Sequence, residues 1–382
     1  MQLTRYKLGD LIVQRREKNE GYDVPIRGVS REEFIKPKQQ EADTSIYNVF
    51  YRNDFVFNPA RMELNSIALN LEFDKALCSS LYEIFYVKDE SIVLPEFLNL
   101  HIKRDEFARH CEYIGSGSAR EYCRVAQISE FDIDLPPIDV QQKIVDANRL
   151  LVKRIETNKK LIATLEQTAQ TLYRHTFVDN IDPNNLPSGW RMGTIGDLCE
   201  ISSSKRIFEN EYCDEGIPFY RGKEITQKKH GEPISDLIYI SNDRYQELVQ
   251  KYGKPEEGDV LLTAVGTLGN SYMVQQEEFY FKDGNLVWLN NFTKEGANFY
   301  LYAFMQTSVF KDKIVEISIG TTQKAITISS LLKLAILVPT ADVLKIFAKD
   351  YQDLYNHIIL KNAENLRIQQ MQTLLLSKMG GK

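Results

Sequence analysis

The sequence predicts an α+β protein in which two similar mixed α/β segments are each followed by one long helix. Three observations predict this fold class: a weak internal repeat, two helical stretches without proline, and a loop between the copies. The chain has 382 residues, enough for two or three domains at roughly 150 residues each. Its composition, 43% hydrophobic and 26% charged, excludes a disordered or fibrous chain. The predicted segments are domain 1–136, helix 137–178, linker 179–188, domain 189–339 and helix 340–382.

The internal repeat consists of four short matches that occur in the same order in both halves. Their offsets are 187, 205, 203 and 203 residues, so the second copy carries about 16 additional residues. A single match of this length is expected by chance, but four in consistent order indicate a duplication. The matches are Leu8–Leu11 with Ile195–Leu198, Asn65-Ser66 with Asn270-Ser271, Gly117-Ser118 with Gly320-Thr321, and Ile133–Pro136 with Ile336–Pro339.

The two helical stretches carry a heptad pattern that predicts antiparallel coiled-coil pairing. In each helix the central seam position is polar, and in an antiparallel pair Asn158 would face the region of Lys361. A polar seam residue lowers stability but fixes register. The alternative is that each helix packs separately on its own domain. The predicted seam is Ile144, Leu151, Asn158, Leu165 and Leu172 with Phe347, Leu354, Lys361, Ile368 and Leu375.

Charge and cysteine usage narrow the class of protein. The net charge is −6, which excludes a strongly basic nucleic-acid coat protein. No apolar run approaches the roughly 20 residues of a membrane span, and the N-terminus lacks the apolar core of a signal peptide. Five scattered cysteines without a C-x-x-C pair are typical of reduced thiols. We therefore expect a cytoplasmic protein that does not bind a membrane.

Catalytic motifs are missing from the sequence. It contains no phosphate-binding loop, no G-x-G-x-x-G, no H-E-x-x-H and no G-x-S-x-G. A metal-dependent nuclease using acids such as Asp10, Asp54 and Glu63 is an alternative, but isolated acids are usually solvated. His110 and Cys111 with Cys123 suggest packing rather than a metal site, because a fourth ligand is not evident. We predict no catalytic residue and no metal site.

The mixed segments instead contain loops that combine glycine with hydrogen-bonding and basic residues. Small residues allow close approach to a ligand, and Arg, Lys, Asn and Gln read base edges while Ser and Thr contact bases or phosphates. The alternative for each cluster is a solvated surface loop, and the acidic charge of both mixed segments opposes strong DNA binding without a basic partner. The predicted DNA-binding residues are Arg16, Lys18, Arg27, Ser30, Arg61, Ser116, Ser118, Arg120, Lys205, Arg206, Arg221, Lys223, Thr267, Asn270, Thr321, Thr322 and Gln323.

Two junction motifs resemble those of a known family. Leu135-Pro136-Pro137, followed by Gln141-Gln142-Lys143-Ile144, is similar to the Leu-Pro-Pro, Glu-Gln-x-x-Ile entry into a long helix, with Val140 in place of the usual Glu. Leu186-Pro187-x-Gly189-Trp190 with Ile195-Gly196-Asp197 is similar to the family's start of a recognition domain. The second junction, Val338-Pro339-Thr340, lacks the second Pro and the Gln. Over nearly its whole length, the chain thus resembles a specificity subunit of a type I restriction-modification system.

The resemblance implies two target recognition domains that each read one half of a bipartite double-stranded DNA target. It also implies that the paired helices act as a spacer ruler and dock two adenine-N6 methyltransferase subunits, and through them the restriction subunits. The chain itself would be non-catalytic and carry no cofactor, with S-adenosylmethionine, ATP and Mg²⁺ in partner subunits. Inserting four residues near Thr164 would then lengthen the ruler by about 6 Å. The alternative function is a coiled-coil protein adaptor without DNA readout.

Overall fold

The computed structural model describes residues 3–30, 33–37, 43–115, 122–179, 181–320 and 324–379. It confirms the α+β prediction with two long helices. The chain forms two compact units: the first unit contains residues 1–154 and 368–382, and the second unit contains residues 155–367. Each long helix therefore contributes one part to each unit. Among the described residues, no helix is both long enough and apolar enough to span a membrane.

The first half of the chain contains short strands, four short helices and then one long helix. Three-residue 3₁₀ turns cover Thr44–Ile46 and Met62–Leu64. The strands are β1 (Thr4–Lys7), β2 (Ile12–Arg15), β3 (Gly28–Ser30), β4 (Glu33–Ile35), β5 (Asn48–Tyr51), β6 (Phe55–Phe57), β7 (Ile67–Leu69), β8 (Lys75–Cys78), β9 (Glu83–Val87) and β10 (Asp132–Leu135). The helices are α1 (Leu8–Leu11), α2 (Pro95–Ile102), α3 (Asp105–Gly115), α4 (Val125–Ile128) and α5 (Ile138–Phe177).

The second half has more helix between its strands and again ends in a long helix. Its 3₁₀ turns cover Ile195–Asp197 and Glu209–Glu211. The strands are β11 (Arg191–Thr194), β12 (Glu200–Ser202), β13 (Tyr212–Cys213), β14 (Ile217–Tyr220), β15 (Ile238–Ile240), β16 (Val260–Thr263), β17 (Ser271–Met273), β18 (Tyr280–Phe281), β19 (Leu286–Asn290) and β20 (Ala335–Val338). The helices are α6 (Gly222–Lys229), α7 (Asn242–Tyr252), α8 (Ala297–Met305), α9 (Ser308–Ile317), α10 (Ile328–Leu332) and α11 (Ala341–Lys378).

Both units are built on the same four-stranded sheet. Its strand order is β2-β9-β6-β7 in the first unit and β12-β19-β16-β17 in the second, and every neighbouring pair is antiparallel. A separate antiparallel pair joins the start and end of each repeat, β1 with β10 and β11 with β20. Most strands of the two four-stranded sheets, such as β6 and β16, consist mainly of buried aliphatic and aromatic residues, which suits a sheet with a packed face. The duplication inferred from the sequence therefore corresponds to a repeated sheet.

The matched Leu-Gly-Asp and Ile-Gly-Asp segments have the same local structure. Asp10 Oδ2 accepts a hydrogen bond from the Lys7 N–H at 3.3 Å, and Asp197 Oδ2 accepts one from the Thr194 N–H at 2.7 Å. A Cβ on Gly9 would lie 2.9 Å from the Ser129 Cβ. Close approach explains the glycine there, and the acid caps the turn after the first strand of each repeat.

The two units differ in the elements added to the shared sheet. The first unit adds two two-stranded sheets, β3-β4 and β5-β8, whereas the second adds a four-stranded sheet, β13-β15-β14-β18. Helix α7 also lies in the interval where the second copy is longer. Its N-cap is Ser241, whose side chain accepts a hydrogen bond from the Arg244 N–H.

The long helices run antiparallel within each unit. In the second unit Asn158 Nδ2 donates to Asn365 Oδ1 at 2.9 Å, and the ring centroids of Phe177 and Phe347 lie 4.9 Å apart. In the first unit Gln372 Nε2 donates to Asn148 Oδ1 at 3.2 Å. All ten predicted seam residues are buried or half-buried.

The expected partner of the central asparagine differs from the observed one. Asn158 lies opposite Asn365, one turn beyond Lys361, and both amides are buried. Lys361 instead forms an ion pair with Glu364 at 2.9 Å on its own helix. Two amides satisfy each other by hydrogen bonding, whereas an ammonium in the seam would be desolvated without a counter-charge. This explains the shift of one turn.

Candidate nucleic-acid interface

In the first unit, two predicted DNA-binding residues lie on opposite sides of the β5–β8 pair. Lys18 forms a bridge with Asn48 on β5, and its Nζ donates to the Ile46 carbonyl at 2.9 Å and to Asn48 Oδ1 at 2.8 Å. Arg27 donates its backbone N–H to the Leu77 carbonyl on β8 at 2.8 Å. Both cations are therefore held against the same pair of strands.

The other described candidates of the first unit are dispersed. Arg16 is exposed directly after β2, and its Nη2 donates to Gln14 Oε1 at 2.8 Å. Ser30 is exposed at the end of β3, and Arg61 precedes the 3₁₀ turn between β6 and β7. These side chains belong to three separate elements, so the described structure does not gather them into one cluster.

The sequence analysis missed an alternating series of rings and cations in the first unit. Arg15 Cζ lies 4.6 Å from the ring centroid of Tyr86 and 4.7 Å from that of Tyr51. Lys75 Nζ lies 5.3 Å from the ring centroid of Tyr51 and 3.5 Å from that of Tyr22. The signal was partly visible, because Arg15 is in the basic Arg15-Arg16 pair, but the three tyrosines come from distant segments. Stacked rings with cations can support base stacking and phosphate contact.

Two buried or half-buried partners hold this series in place. Asp54 is 1% exposed and accepts from Arg15 Nε at 2.7 Å and from the Tyr51 N–H at 2.8 Å. Burial raises the pKa of the Asp54 carboxyl, and the hydrogen bonds from Arg15 counteract that effect. The Tyr51 hydroxyl donates to Glu17 Oε1 at 2.6 Å, and this hydrogen bond together with burial raises the pKa of Tyr51 to about 12.

In the second unit, helix α6 brings together four predicted residues that are about 40 residues apart in sequence. Arg221 and Lys223 lie at its start, and its Thr226 contacts the turn between β16 and β17. Thr226 Oγ1 lies 3.2 Å from Thr267 Oγ1 and accepts from Asn270 Nδ2 at 3.1 Å. Helix α6 and this turn form a group of four predicted residues, in which Thr267 and Asn270 both contact Thr226, whereas Arg221 and Lys223 precede Thr226 in the chain.

The side chains of Arg221 and Lys223 differ in how freely they can move toward a ligand. Arg221 is half-buried and bonds to Glu224, which is fully buried, with Nη2 to Oε1 at 2.6 Å and backbone N–H to Oε2 at 2.7 Å. Burial acts to raise the pKa of Glu224, but the hydrogen bonds from Arg221 outweigh it and leave this pKa lowered. Lys223 is exposed and its Nζ lies 3.3 Å from Asp236 Oδ2. Lys223 can therefore turn toward a ligand at little cost, whereas Arg221 also caps α6.

The turn between β16 and β17 is shaped by two glycines and a buried threonine. Gly266 and Gly269 have φ values of +80° and +81°, which favour glycine. Thr263 Oγ1 donates to the Thr267 carbonyl and accepts from the Asn270 N–H at 2.9 Å. Thr267 is consequently held at an exposed tip.

Lys205 and Arg206 occupy a different place in the second unit. Lys205 Nζ lies 4.7 Å from the ring centroid of Tyr252, at the end of α7. Arg206 Nε forms an ion pair with Asp283 Oδ2 at 3.2 Å, beside the turn between β18 and β19. Both side chains are exposed, so they form a second, smaller basic patch.

Six predicted residues lie outside the described residues. The residues flanking the second group are described: Ile319 and Ala325 bridge each other, and Ala325 also bridges Val265, next to the β16–β17 turn. The six residues outside the description are Ser116, Ser118, Arg120, Thr321, Thr322 and Gln323.

The residues considered for a metal site have other roles. Asp54, expected to be solvated, is buried against Arg15, so that expectation was wrong. His110 Nε2 lies 3.3 Å from the Gln127 carbonyl, and the buried Cys111 and Cys123 thiols contact each other. Within the described ranges, no group of three or more His, Cys, Asp or Glu side chains is placed to hold a metal ion.

Comparison with known families identifies the repeats. The model of the type I restriction modification DNA specificity domain matches residues 9–167 and again residues 187–370. The two matches coincide with the two copies of the four-stranded sheet and include most of each following helix.

Individual relatives carry similar descriptions. A putative type I restriction enzyme specificity subunit of Haemophilus influenzae is 32% identical over 197 residues, which is 50% of this chain and 48% of that protein. The chain thus spans about half the length of that relative. The HindI specificity subunit of the same organism is 20% identical, with 76% of this chain and 77% of that protein covered. The crystal structure of a type I S subunit from M. genitalium has a TM-score of 0.62 at 13% identity, covering 100% of this chain and 96% of that one. That likeness concerns the fold.

Proposed function

The chain belongs to the family of type I restriction-modification DNA specificity subunits, and from that premise we propose that it reads a bipartite DNA target, one half through each unit. The specificity subunit is the non-catalytic component of its enzyme. Partner subunits would accordingly bind the methyl donor, ATP and Mg²⁺. The target is double-stranded DNA with two separated half-sites.

One observation carries this proposal. The same four-stranded sheet, in the same strand order, occurs once in each unit, and the family model matches each copy separately. Two copies of one DNA-reading scaffold in one chain fit a target with two parts, because each copy can present a different set of loops to its own half-site.

The half-sites would be read by the side chains attached to this scaffold. In the first unit the candidates are Arg27 and Lys18 on the β5–β8 pair, with the nearby ring and cation series as a stacking surface. In the second unit they are Lys223, Thr267 and Asn270 around α6. These residues combine donors and acceptors suited to base edges with cations suited to phosphates.

Two methyltransferase subunits would dock on the long helices, and restriction subunits would join through them. Large apolar side chains stay exposed on both helices: Leu150 on α5 is 69% exposed, and Ile346 and Leu360 on α11 are 68% and 63% exposed. Residues 136–178 carry a net charge of +3 and residues 340–382 carry +2 in a chain of net charge −6. Exposed apolar residues on an extended helix are typical of an interface.

The docking test replaces apolar residues on each helix and counts bound subunits. Leu150→Asp and Leu360→Asp should each reduce the number of methyltransferase subunits retained in native mass spectrometry, because a charge in an apolar contact is desolvated. Leu81→Asp is the matched control, since Leu81 is 76% exposed in the turn between β8 and β9. Equal retention by all three variants would contradict docking on the helices.

The function is tested by mapping adenine methylation genome-wide in cells that contain the cognate methyltransferase with or without this chain. We expect a split motif that is methylated only when the chain is present. A stable complex without any new methylated motif would instead favour an adaptor that binds proteins only. A continuous motif would contradict the bipartite target.

A further inference from the structure

A cavity of about 520 Å³ lies inside the second unit, between its stretch of paired helices and its mixed α/β portion. Its wall includes residues of α5 and α11 on one side and of α6, α8, α9 and β17 on the other. The volume is within the 300–1,000 Å³ range of small-molecule sites. Asn270, a DNA-reading candidate, is one of its lining residues, and no role described so far uses the rest of the cavity.

The charges on the cavity wall are mostly positive. Three lysines line it, Lys228, Lys229 and Lys311, together with one acid, Glu166, and the imidazole of His230. Lys228 is neutralised by Glu277, with Nζ to Oε2 at 2.6 Å.

Among the described residues no acid contacts Lys229 or Lys311 within 4 Å, and the only close partner of Lys229 Nζ is Asn270 Oδ1 at 3.4 Å. Burial, with a contribution from the charge of Lys311, lowers the pKa of Lys229, although the charge of Glu166 acts to raise it. An anion between the two ammonium groups would offset the cost of burying Lys229 and the repulsion between the two charges.

The opposite wall offers rings, aliphatic surface and amides. Tyr351, Ile358 and Ile359 of α11 line the cavity there, and Tyr302 of α8 adds a second ring to the lining. Tyr351 and Tyr302 are 3% and 8% exposed. The Tyr351 hydroxyl has no hydrogen bond with any of the described residues. A ligand atom that bonds to this hydroxyl inside the cavity would contribute to binding.

We propose that this cavity binds one nucleotide unit, with its phosphate between Lys229 and Lys311 and its base toward the tyrosine and isoleucine wall. The phosphate forms charge-assisted hydrogen bonds with the two lysine ammonium groups. The base is a flat group that packs on rings and bonds to a nearby amide such as Asn362, which lines the cavity on α11. The nucleotide could be free in solution or a unit of the bound DNA strand, since both present the same chemistry. The inference does not rest on the proposed function, because binding is measured on the chain itself.

The test titrates AMP and, separately, inorganic phosphate into the full chain and follows binding by calorimetry. We expect AMP to bind more tightly than inorganic phosphate, because only AMP reaches the apolar wall. The double variant Lys229→Gln/Lys311→Gln should weaken AMP binding at least tenfold. Tyr351→Phe, which keeps the ring, should weaken it several-fold.

The matched control is Lys313→Gln. Lys313 is on α9, two residues from Lys311, and does not line the cavity. It should bind AMP like the unchanged chain, and thermal melting of every variant checks that the second unit remains folded. If Lys313→Gln weakened AMP binding as much as the double variant does, the proposed site would be wrong, because the loss would then reflect the overall positive charge and not contacts in the cavity.

A duplex-binding series distinguishes the two sources of the nucleotide. If AMP does not bind but the double variant lowers the slope of log affinity against log salt by about two for a duplex, the phosphate belongs to DNA. If AMP binds and the duplex slope is unchanged, the ligand is a free nucleotide. If neither AMP nor duplex binding responds to the double variant, the proposal is wrong.

Discussion

The two units share a four-stranded sheet, the strand pair that joins the ends of each repeat and the capped turn after its first strand, but they differ in the additional sheets. The sheets β2-β9-β6-β7 and β12-β19-β16-β17 have the same order, but the first unit adds two small sheets whereas the second adds one larger sheet. None of the described DNA-binding candidates lies on the eight strands of the shared sheets. The repeated sheet thus serves as a scaffold, and the described DNA-binding candidates lie in the turns, helices and added strands around it.

Each unit also buries one carboxylate against one arginine, with opposite electrostatic outcomes. Burial dominates at Asp54 and raises its pKa, despite Arg15. At Glu224 burial is outweighed by hydrogen bonds from the Arg221 side chain and from backbone N–H groups, and the pKa is lowered. Glu224 benefits from its place at the start of α6, where backbone donors face the carboxylate.

The largest predicted effect comes from removing these carboxylates. Asp54→Ala and Glu224→Ala should each lower the free energy of unfolding by about 3 kcal/mol, since an arginine loses its buried partner. We expect the lower end of the usual range, because the Arg15 and Arg221 side chains are 24% and 29% exposed. Hydrogen exchange measured by mass spectrometry should show faster exchange in the affected unit.

Hydrogen exchange measured separately for each unit distinguishes the local loss of an arginine partner from destabilisation of the whole chain. Asp54→Ala should accelerate exchange in β5, β6 and β9, and Glu224→Ala in α6 and β16. As a control, Asp74→Ala removes an exposed partner of Arg52 and should change little. If either buried-carboxylate variant accelerates both units equally, the units do not unfold as separate bodies.

The next largest effect is expected at the buried pair of Asn158 and Asn365 between the two long helices. Asn158→Leu should cost about 1–3 kcal/mol, because Asn365 keeps a buried amide without a partner. Adding Asn365→Leu should recover most of that loss, because leucine suits a seam position. Chemical denaturation of the four members of this double-mutant cycle measures the coupling, and additive effects would contradict a paired role.

A readout variant should affect one half-site only. Arg27→Ala should relax one position of one half-site, and Lys223→Ala one position of the other, each at about 1–3 kcal/mol in binding if the residue reads a base. Methylation mapping of each variant gives the motif. Arg52→Ala and Lys254→Ala, in the first and second unit, are exposed controls that should leave the motif unchanged, and weakening of all sequences alike would indicate a phosphate contact.

The smallest effect is a pH dependence of opposite sign in the two units. Glu224, with a lowered pKa, contributes stability that is present above its ordinary value of 4.5 and is lost as the pH falls through the folded pKa. Asp54, with a pKa raised above 3.8, contributes less as the pH rises through that raised value. As the pH rises from 3 to 7, Glu224→Gln should become more destabilising, whereas Asp54→Asn should become less destabilising. Melting curves across this range check both signs, and parallel trends would contradict the difference.

The sequence was sufficient for the features that depend on local pattern. Helix α5 follows from a proline-free heptad stretch, and the duplication follows from short matches such as Asn65-Ser66 with Asn270-Ser271. In the structure these matches lead into equivalent strands, β7 and β17. Patterns of this kind reflect burial on one face, which a single sequence records directly.

Features that depend on register or on distant contacts were not predictable. The partner of Asn158 is Asn365 rather than the region of Lys361 because helix pairing is set by packing along the whole seam, so a shift of one turn leaves the heptad pattern intact. The pairing of Arg15 with Asp54 joins β2 to the turn between β5 and β6, and the cavity is built from six elements. No local signal specifies such contacts.

If the paired helices set the distance between two separately read half-sites, lengthening both helices must lengthen the spacer between those half-sites. The structure suggests inserting seven residues at the boundary of the units, between Arg154 and Ile155 and again between Arg367 and Ile368, rather than near Thr164 beside the cavity. Seven residues preserve the heptad phase and add about 10.5 Å, roughly 3 bp of DNA. Methylation mapping should then return both original half-sites with a spacer longer by about 3 bp. An unchanged spacer, or a changed half-site, would contradict the account.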